Sequence, residues 1–328
     1  MPEQMQATAV ASPNIALIKY WGNRNHDLRL PASPSLSFNL AELTTRTTVL
    51  WDPTLSADEI ILNGEQVHGP AHDRVSHHLN HVRRLAGFSG YARVESVNNF
   101  PTGTGIASSA SAFAALSLAA TAALGLALSE RKLSALARLG SGSAARSIPG
   151  GFVVWYAADT HEDSFAESIA PPEHWALVDL VAVVSKEHKR TGSTSGHALA
   201  DTSPLQPARI ATAEERFERC KQAVLARDFP ALAAVVELDN LIMHSVMMTS
   251  TPPLLYWEPE TLRLIKLVQR LREKDGLSVC HTIDAGPNVH CICTAEDAPA
   301  VEAALRTQPG ILEIRSATVG GPARLIEA

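Results

Sequence analysis

The chain has 328 residues, 45% of them hydrophobic and 19% charged, with a formal net charge of −6. That is apolar material for one large domain or two ordinary ones, which excludes disorder over most of the length. Lys and Arg (28) are outnumbered by Asp and Glu (34), so no global basic field exists to hold DNA or RNA through counterion release, and a small anion needs a local site.

The opening residues, MPEQMQATAV, have neither the basic n-region nor the long apolar h-region of a signal peptide. Four cysteines, Cys220, Cys280, Cys291 and Cys293, are too few and too late in the chain for a disulfide framework and suit a reducing cytoplasm. Up to Asn98 the pattern is of short strands, at Thr8–Val10, Ile15–Tyr20, Leu36–Leu40, Thr44–Trp51, Ile60–Leu62 and Ala92–Val97, with one helix at about Ala71–Leu85. A glycine-rich turn, PTGTG, then runs into the most apolar stretch, Ile106–Leu128. Its Ser108, Ser109, Ser111, Ser117 and Thr121 suit a buried helix better than a membrane span. A helix at Glu130–Arg138, a small-residue loop GSGSAARSIPGG and strands at Phe152–Ala157 and Ala176–Ser185 close a first α+β domain, residues 1–185.

Residues 186–210, rich in Ser, Thr, Gly and Pro, read as a long loop of the kind that forms a lid or an active-site segment. The second domain, 186–328, continues with helices at Ala211–Ala226, Phe229–Met247, Glu260–Lys274 and Ala298–Arg306 and strands at Val279–Ile283, His290–Thr294 and Leu312–Thr318. Helices and strands mix without Rossmann alternation, so this half is α+β as well.

Four segments carry chemistry. In Asn98-Asn99-Phe100-Pro101-Thr102-Gly103-Thr104-Gly105-Ile106-Ala107-Ser108-Ser109, a glycine-rich turn feeds a helix, and the backbone N–H groups converge where a phosphate can sit. No Lys follows the glycines, so this is not a Walker loop; an ordinary strand-to-helix turn with serine caps is the plainer alternative. Asp284 ends an apolar run at a Gly-Pro turn, as a general base in a dry pocket or as a turn-forming Asp. Lys19 stands among apolar neighbours in NIALIKYWG, either solvated at a strand end or held for an anionic substrate. In GSGSAARS, small residues let an anion approach the backbone, and Arg146 offers a two-pronged grip on a carboxylate.

Together these segments resemble the mevalonate diphosphate decarboxylases of the GHMP kinase superfamily. The family's N-I-A-x-I-K-Y-W-G, N-N-F-P-T-x-x-G-x-A-S-S-A-S, G-S-G-S-A-x-R-S and D-A-G-P-N-V motifs are met in order. Gly192-Ser193-Thr194-Ser195-Gly196 is similar to its S-S-T-x-G loop, and Met243-His244 through Tyr256 to its M-H-x…T-x-P-P-x-x-Y helix end. The resemblance implies a GHMP kinase-like two-domain fold with the active site in the cleft between domains, a homodimer, and no nucleic-acid or membrane partner. It implies ATP and Mg²⁺, phosphorylation of the C3 hydroxyl of a 5-phosphorylated mevalonate, and loss of the 3-phosphate with CO2 in isoprenoid precursor synthesis. On matching positions, Asp284 takes or orients the C3 hydroxyl proton, Arg146 holds the C1 carboxylate, and Lys19 offsets charge beside them. Tyr20, Asn23, Ser141, Ser143, Ser193 and Thr194 face the phosphorylated substrate. Asn98, Pro101, Gly103, Gly105, Ala107, Ser108 and Ser109 hold the nucleotide, with Ser109 also on the metal.

The departures bear on the substrate. Where the family follows Tyr-Trp-Gly with Lys, this chain has Asn23; the loop's Met is His197, its first Ser is Gly192, and PTGTG replaces PTAAG. A missing cation favours mevalonate 5-phosphate over the 5-diphosphate, although Arg24 offers a charge next door. The 5-diphosphate decarboxylase, a 3-kinase that stops at the phosphate ester and a silent ligand-binding relative are the alternatives. Two further patterns have plain readings: His72, His77, His78 and His81 on one helix are a solvated face or a metal site, and Cys291 and Cys293 are core residues on one strand face.

Overall fold

The structure, a computed structural model, describes residues 5–100, 108–186 and 191–327. Among the described residues, three sheets of four or more strands, a two-stranded ribbon of Asn23–Asn25 with Leu30–Pro31, and a set of helices organise the chain. A six-stranded sheet runs in the order Arg324–Ile326, Gln6–Ala11, Thr45–Asp52, Tyr91–Asn98, Glu59–Leu62, Glu65–Gln66. Helices α1 (Pro70–Ala86), α2 (Ser108–Ala123) and α3 (Glu130–Gly140) pack on it around Trp51, Val94, Leu79, Phe113 and Leu136. The alanines of α2 have a packing reason: Ala110, Ala114, Ala115, Ala119 and Ala120 are fully buried, and the small stripe lets the helix lie close to the strands Gln6–Ala11 and Thr45–Asp52.

The second sheet has the order Ala166–Ala170, Phe152–Trp155, Ser35–Asn39, Asn14–Ile18. All five residues of Ser35–Asn39 are buried, and its alternation sorts them. Leu36 and Phe38 join the large core, while Ser35 and Ser37 reach Arg146 in the turn 142–147. The third sheet, Val279–Ile283, Val289–Thr294, Leu177–Val183, Glu313–Thr318, follows in space.

Along the chain come α4 (Ser193–Leu199), α5 (Gln206–Ala211), α6 (Ala213–Ala226), α7 (Phe229–Met248), α8 (Pro259–Glu273) and α9 (Ala298–Arg306). α6 and α7 join the second sheet to the third, because Phe217, Leu232, Val235 and Val236 share one core with Ile15, Phe38, Val181 and Ile292. α8 and α9 cover the third sheet's other face. By length and composition α7 is apolar enough to cross a membrane, but 61% of its most apolar window is buried inside the protein. Asp228 caps its start by accepting the Ala231 N–H at 3.0 Å.

Most expected elements lie within two residues of their places, and the differences are informative. The stretch 186–210, expected as a loop, carries α4 and α5. At seven and six residues they are too short to show a helical apolar period. Leu177–Val183, assigned to the first half, pairs with Val289–Thr294 and Glu313–Thr318 of the second. Arg324–Ile326 returns to the first sheet beside Gln6–Ala11, so pairings cross the boundary expected near 185 in both directions. The histidine helix is not an evenly solvated face: His78 is buried, its Nε2 lies 2.8 Å from Ser117 Oγ, and burial first, then neighbouring cations, pulls its pKa down to about 3. Among the described residues no group of three or more His, Cys, Asp or Glu is arranged to hold a metal. All four cysteines are buried and free, Cys291 and Cys293 in the third sheet's core as expected.

The close approach of α2 yields a stability prediction. Ala114→Leu forces extra methylenes into a packed seam, and urea unfolding should show a loss of about 1–3 kcal/mol. An unchanged midpoint would mean that the seam has room the structure does not show.

Candidate active site

Two strand ends from different sheets meet at one ion pair. Lys19 lies just past Asn14–Ile18 and Asp284 just past Val279–Ile283. The Lys19 ammonium is 2.6 Å from Asp284 Oδ1, with the lysine side chain 2% exposed and the aspartate 26%. An ammonium this buried needs its partner, whereas the carboxylate is partly exposed.

Helix α7 holds both strand ends. Asp239 Oδ2 accepts the Lys19 backbone N–H at 2.7 Å. One and five residues further along, Asn240 Nδ2 (2.6 Å) and His244 Nε2 (3.2 Å) donate to the Ile283 carbonyl. The His244 ring is kept neutral, its pKa pulled down to about 4 chiefly by burial and also by Lys19. From the other side, the fully buried Arg209 donates to the carbonyls of Lys19 (2.7 Å) and Trp21 (2.9 Å). Arg216 completes the frame, bonding Asp239 Oδ1 at 2.8 Å and the Arg209 carbonyl at 3.0 Å.

Arg146 forms the second centre. It is 2% exposed, and its partners are neutral oxygens: Ser37 Oγ at 3.0 Å, Ser35 Oγ at 2.5 Å and Asn14 Oδ1 at 3.1 Å. Asn14 is itself oriented, donating to the Ser143 carbonyl (3.0 Å) and to Ser147 Oγ (2.8 Å). Burial lowers the Arg146 pKa to about 10, and the field of Asp284 opposes that shift. A guanidinium has five N–H donors, and three protein bonds leave some for a ligand. A buried cation whose protein partners are neutral oxygens keeps its charge available to an anion.

The third group surrounds Tyr20. Its hydroxyl donates to Asn23 Oδ1, and its ring packs against Trp155 (centroids 4.7 Å) and His197 (4.1 Å). Burial pushes the phenol up to about 12, with Arg29 and Arg146 pulling the other way, so it stays a neutral donor. Gly142 is required beneath it: a Cβ there would lie 2.5 Å from the tyrosine ring and hydroxyl. Arg24, the neighbouring cation considered above, is in an exposed pair with Asp159.

The segments expected to hold nucleotide and substrate touch through Ser109 Oγ and Ser141 Oγ, 3.1 Å apart, at the first turn of α2 and the end of α3. Asn98 ends its strand bonded to Thr45 Oγ1 at 2.6 Å, and Ser108 opens α2. Ser143 is half-buried in the turn beside Arg146, Ser193 begins α4, and Thr194 is exposed on it. Pro101, Gly103, Gly105 and Ala107 lie outside the described residues.

The structure thus brings Lys19 to Asp284, Tyr20 to Asn23, and Ser109 to Ser141. Sequence reasoning passed over Asp239, Arg209, Arg216, Ser35, Ser37 and the role of Asn14. The Ser-Leu-Ser-Phe-Asn alternation was the available signal for the two serines; buried charges on helices look like surface residues in a sequence.

A two-domain α+β fold of the GHMP kinase kind, with cations and hydroxyls converging at strand ends, defines the class. The family described as diphosphomevalonate decarboxylase-like N-terminal domain matches residues 11–166, and mevalonate 5-diphosphate decarboxylase C-terminal domain matches 179–317. The chain is 38% identical over 314 residues to the human diphosphomevalonate decarboxylase, covering 88% of this chain and 77% of that protein. It is 34% identical over 323 residues to the phosphomevalonate decarboxylase of Haloferax volcanii, covering 98% of both. The solved structure of MDDEF in complex with MVAPP, AMPPCP and magnesium superposes with a TM-score of 0.92 at 38% identity, over 98% of this chain and 99% of that one. The chain belongs to the diphosphomevalonate decarboxylase family.

Arg146→Lys tests the second centre. One ammonium cannot serve Ser35, Ser37 and Asn14 together, and buried hydroxyls left unpaired cost about 1–3 kcal/mol. Stability should fall by that amount, and kcat/KM by more than tenfold. Wild-type stability and turnover would show that the fork geometry is not needed.

Proposed function

We propose that this enzyme is an ATP-dependent decarboxylase of mevalonate 5-phosphate, forming isopentenyl phosphate, CO2, ADP and phosphate. The observation that carries the reaction type is the Lys19–Asp284 pair at 2.6 Å, with the buried Arg146 within the field of the same aspartate. A kinase needs to position a hydroxyl; a group that also grips a carboxylate serves a reaction in which that carboxylate leaves.

Asp284 takes or orients the C3 hydroxyl proton, and Lys19 holds the aspartate in place and offsets negative charge as phosphate arrives. Arg146 fixes the C1 carboxylate so that the C1–C2 bond is aligned for cleavage. Its electron pair forms the C2=C3 double bond as the C3–O bond to phosphate breaks. Such chemistry asks mainly for positioning and charge neutralisation, and the burial around Lys19 and Arg146 suits both.

A neighbour of known structure binds AMPPCP and magnesium, and the residues here fit that pair. Ser109 presents a hydroxyl oxygen in the first turn of α2, 3.1 Å from Ser141 Oγ at the end of α3, and such a hydroxyl is a hard oxygen donor of the kind Mg²⁺ takes alongside phosphate oxygens. ATP supplies the phosphoryl group; Ser108, Ser109 and the turn before them would hold its phosphates.

The preference for the monophosphate rests on the Tyr20–Asn23 corner. Asn23 acts there as an acceptor for the tyrosine and Arg24 pairs with Asp159 at the surface, so the position that carries the family's lysine holds a neutral acceptor, while the charges acting on Tyr20 come from Arg29, Arg146 and Arg138. Relatives of both kinds match the chain, so the choice turns on these residues. The reading also expects a cytoplasmic homodimer.

Two outcomes follow. Asp284→Asn should lower kcat by at least 10² while leaving ATP binding nearly intact, as removal of a general base does; more than a tenth of wild-type kcat would sink the assignment. With ATP saturating, kcat/KM should favour the monophosphate, and Asn23→Lys should move the ratio toward the diphosphate by about one to two orders of magnitude, the size of a charge-assisted bond. A wild-type protein that prefers the diphosphate tenfold would replace this reading with the diphosphate activity.

A further inference from the structure

The position where the family motif has Met and this chain has His197 is occupied with unusual specificity. His197 is buried on α4, its ring between those of Tyr20 (4.1 Å) and Trp21 (4.6 Å). Its Nδ1 is 3.0 Å from the backbone N of Gly22. A backbone N–H only donates, so Nδ1 is the acceptor and the proton of the neutral ring sits on Nε2. Burial first, then the charges of Arg209, Arg29, His26 and Arg146, pull the ring's pKa down to about 3, which keeps Nδ1 free to accept.

The surrounding contacts leave little slack. Gly22 has φ +89°, and a Cβ on it would meet Gln206 Nε2 at 2.3 Å and the Ala200 Cβ at 3.4 Å. A Cβ on Gly196 would meet the Trp21 ring at 2.5 Å. Helix α4 therefore lies directly on the Tyr20–Asn23 turn, and the imidazole acceptor is the polar contact that His197 adds between them. A thioether in its place fills similar space and stacks on aromatic rings, but is only a weak acceptor.

We propose that His197 is a positioning residue that locks α4, which carries Ser193 and Thr194, onto the Tyr20–Asn23 turn and so sets the geometry of the substrate's phosphate end. The Gly22 amide bond fixes the turn; the two ring contacts fix the helix; Tyr20 and Asn23 are thereby presented to the phosphate as a preformed pair. This inference rests on the reading of that corner given under Proposed function.

The test compares wild type, His197→Met and His197→Asn, whose amide oxygen takes a place similar to Nδ1. Kinetics are run with ATP and both phosphorylated mevalonates, and thermal midpoints are measured alongside. Loss of one net hydrogen bond corresponds to about a two- to tenfold effect. His197→Met should raise KM for phosphorylated mevalonate by that factor, with smaller changes in kcat and in KM for ATP, and His197→Asn should recover most of it. An unchanged KM in the Met variant, an equal rise in KM for ATP, or an Asn variant no better than Met would overturn the proposal. Should the variants fail to fold, ¹⁵N NMR of the wild-type histidines decides it: His197 as an Nε2–H tautomer that does not titrate between pH 6 and 8 supports the lock, and an Nδ1–H tautomer or a charged ring refutes it. If the wild type proves to prefer the diphosphate, the substrate reading fails, while the KM shift on that substrate still decides the role of His197.

Discussion

Helix α7 ties the two halves of the site together at the backbone. Asp239 accepts the Lys19 backbone N–H, and Asn240 and His244 donate to the Ile283 carbonyl next to Asp284, so one helix spaces the two strand ends that carry the ion pair. The 2.6 Å ion pair is then a consequence of where two main chains are held, rather than of two flexible side chains finding each other. Precision of this kind matters because a shift of about 1 Å in such a constellation costs on the order of 10² in rate. The frame is expensive in desolvation. Arg209, Arg216 and Asp239 are all buried, and the arrangement is tolerable only because the arginines are spent on main-chain carbonyls, on the aspartate and on a threonine.

Arg146 belongs to a different electrostatic regime. Its protein partners are two serine hydroxyls and an asparagine oxygen, which orient the guanidinium without neutralising it. The field of Asp284 reaches it, yet burial still lowers its pKa to about 10. The site therefore has one cation already paired, at Lys19, and one held in place on neutral oxygens. On the function proposed above, a substrate carboxylate would complement the second without competing for the first, the division of labour a decarboxylation needs.

Much of this was legible in the sequence, and the limits have physical causes. Strands such as Thr45–Asp52 and Tyr91–Asn98 alternate buried and exposed residues, so their pattern shows directly. The motif residues Lys19, Arg146 and Asp284 stood out because a charge among apolar or small neighbours needs a reason. Helices α4 and α5 did not, being under two turns long. Leu177–Val183, buried at every position, carried no mark of which sheet it would join. Arg209, Arg216 and Asp239 lie on helices where a charged residue ordinarily means the solvent face, and only the fold turns them inward. His197 was visible as a departure from a motif; that its ring would accept the Gly22 amide required the packing of α4 on Trp21.

The most direct measurement is a double-mutant cycle on kcat with Lys19→Met, Asp284→Asn and the pair, following CO2 release at saturating ATP. If the ion pair acts as one unit held by α7, the double variant should be about as slow as the slower single variant, with a large coupling between the two sites. Independent effects that multiply in the double variant would contradict that account.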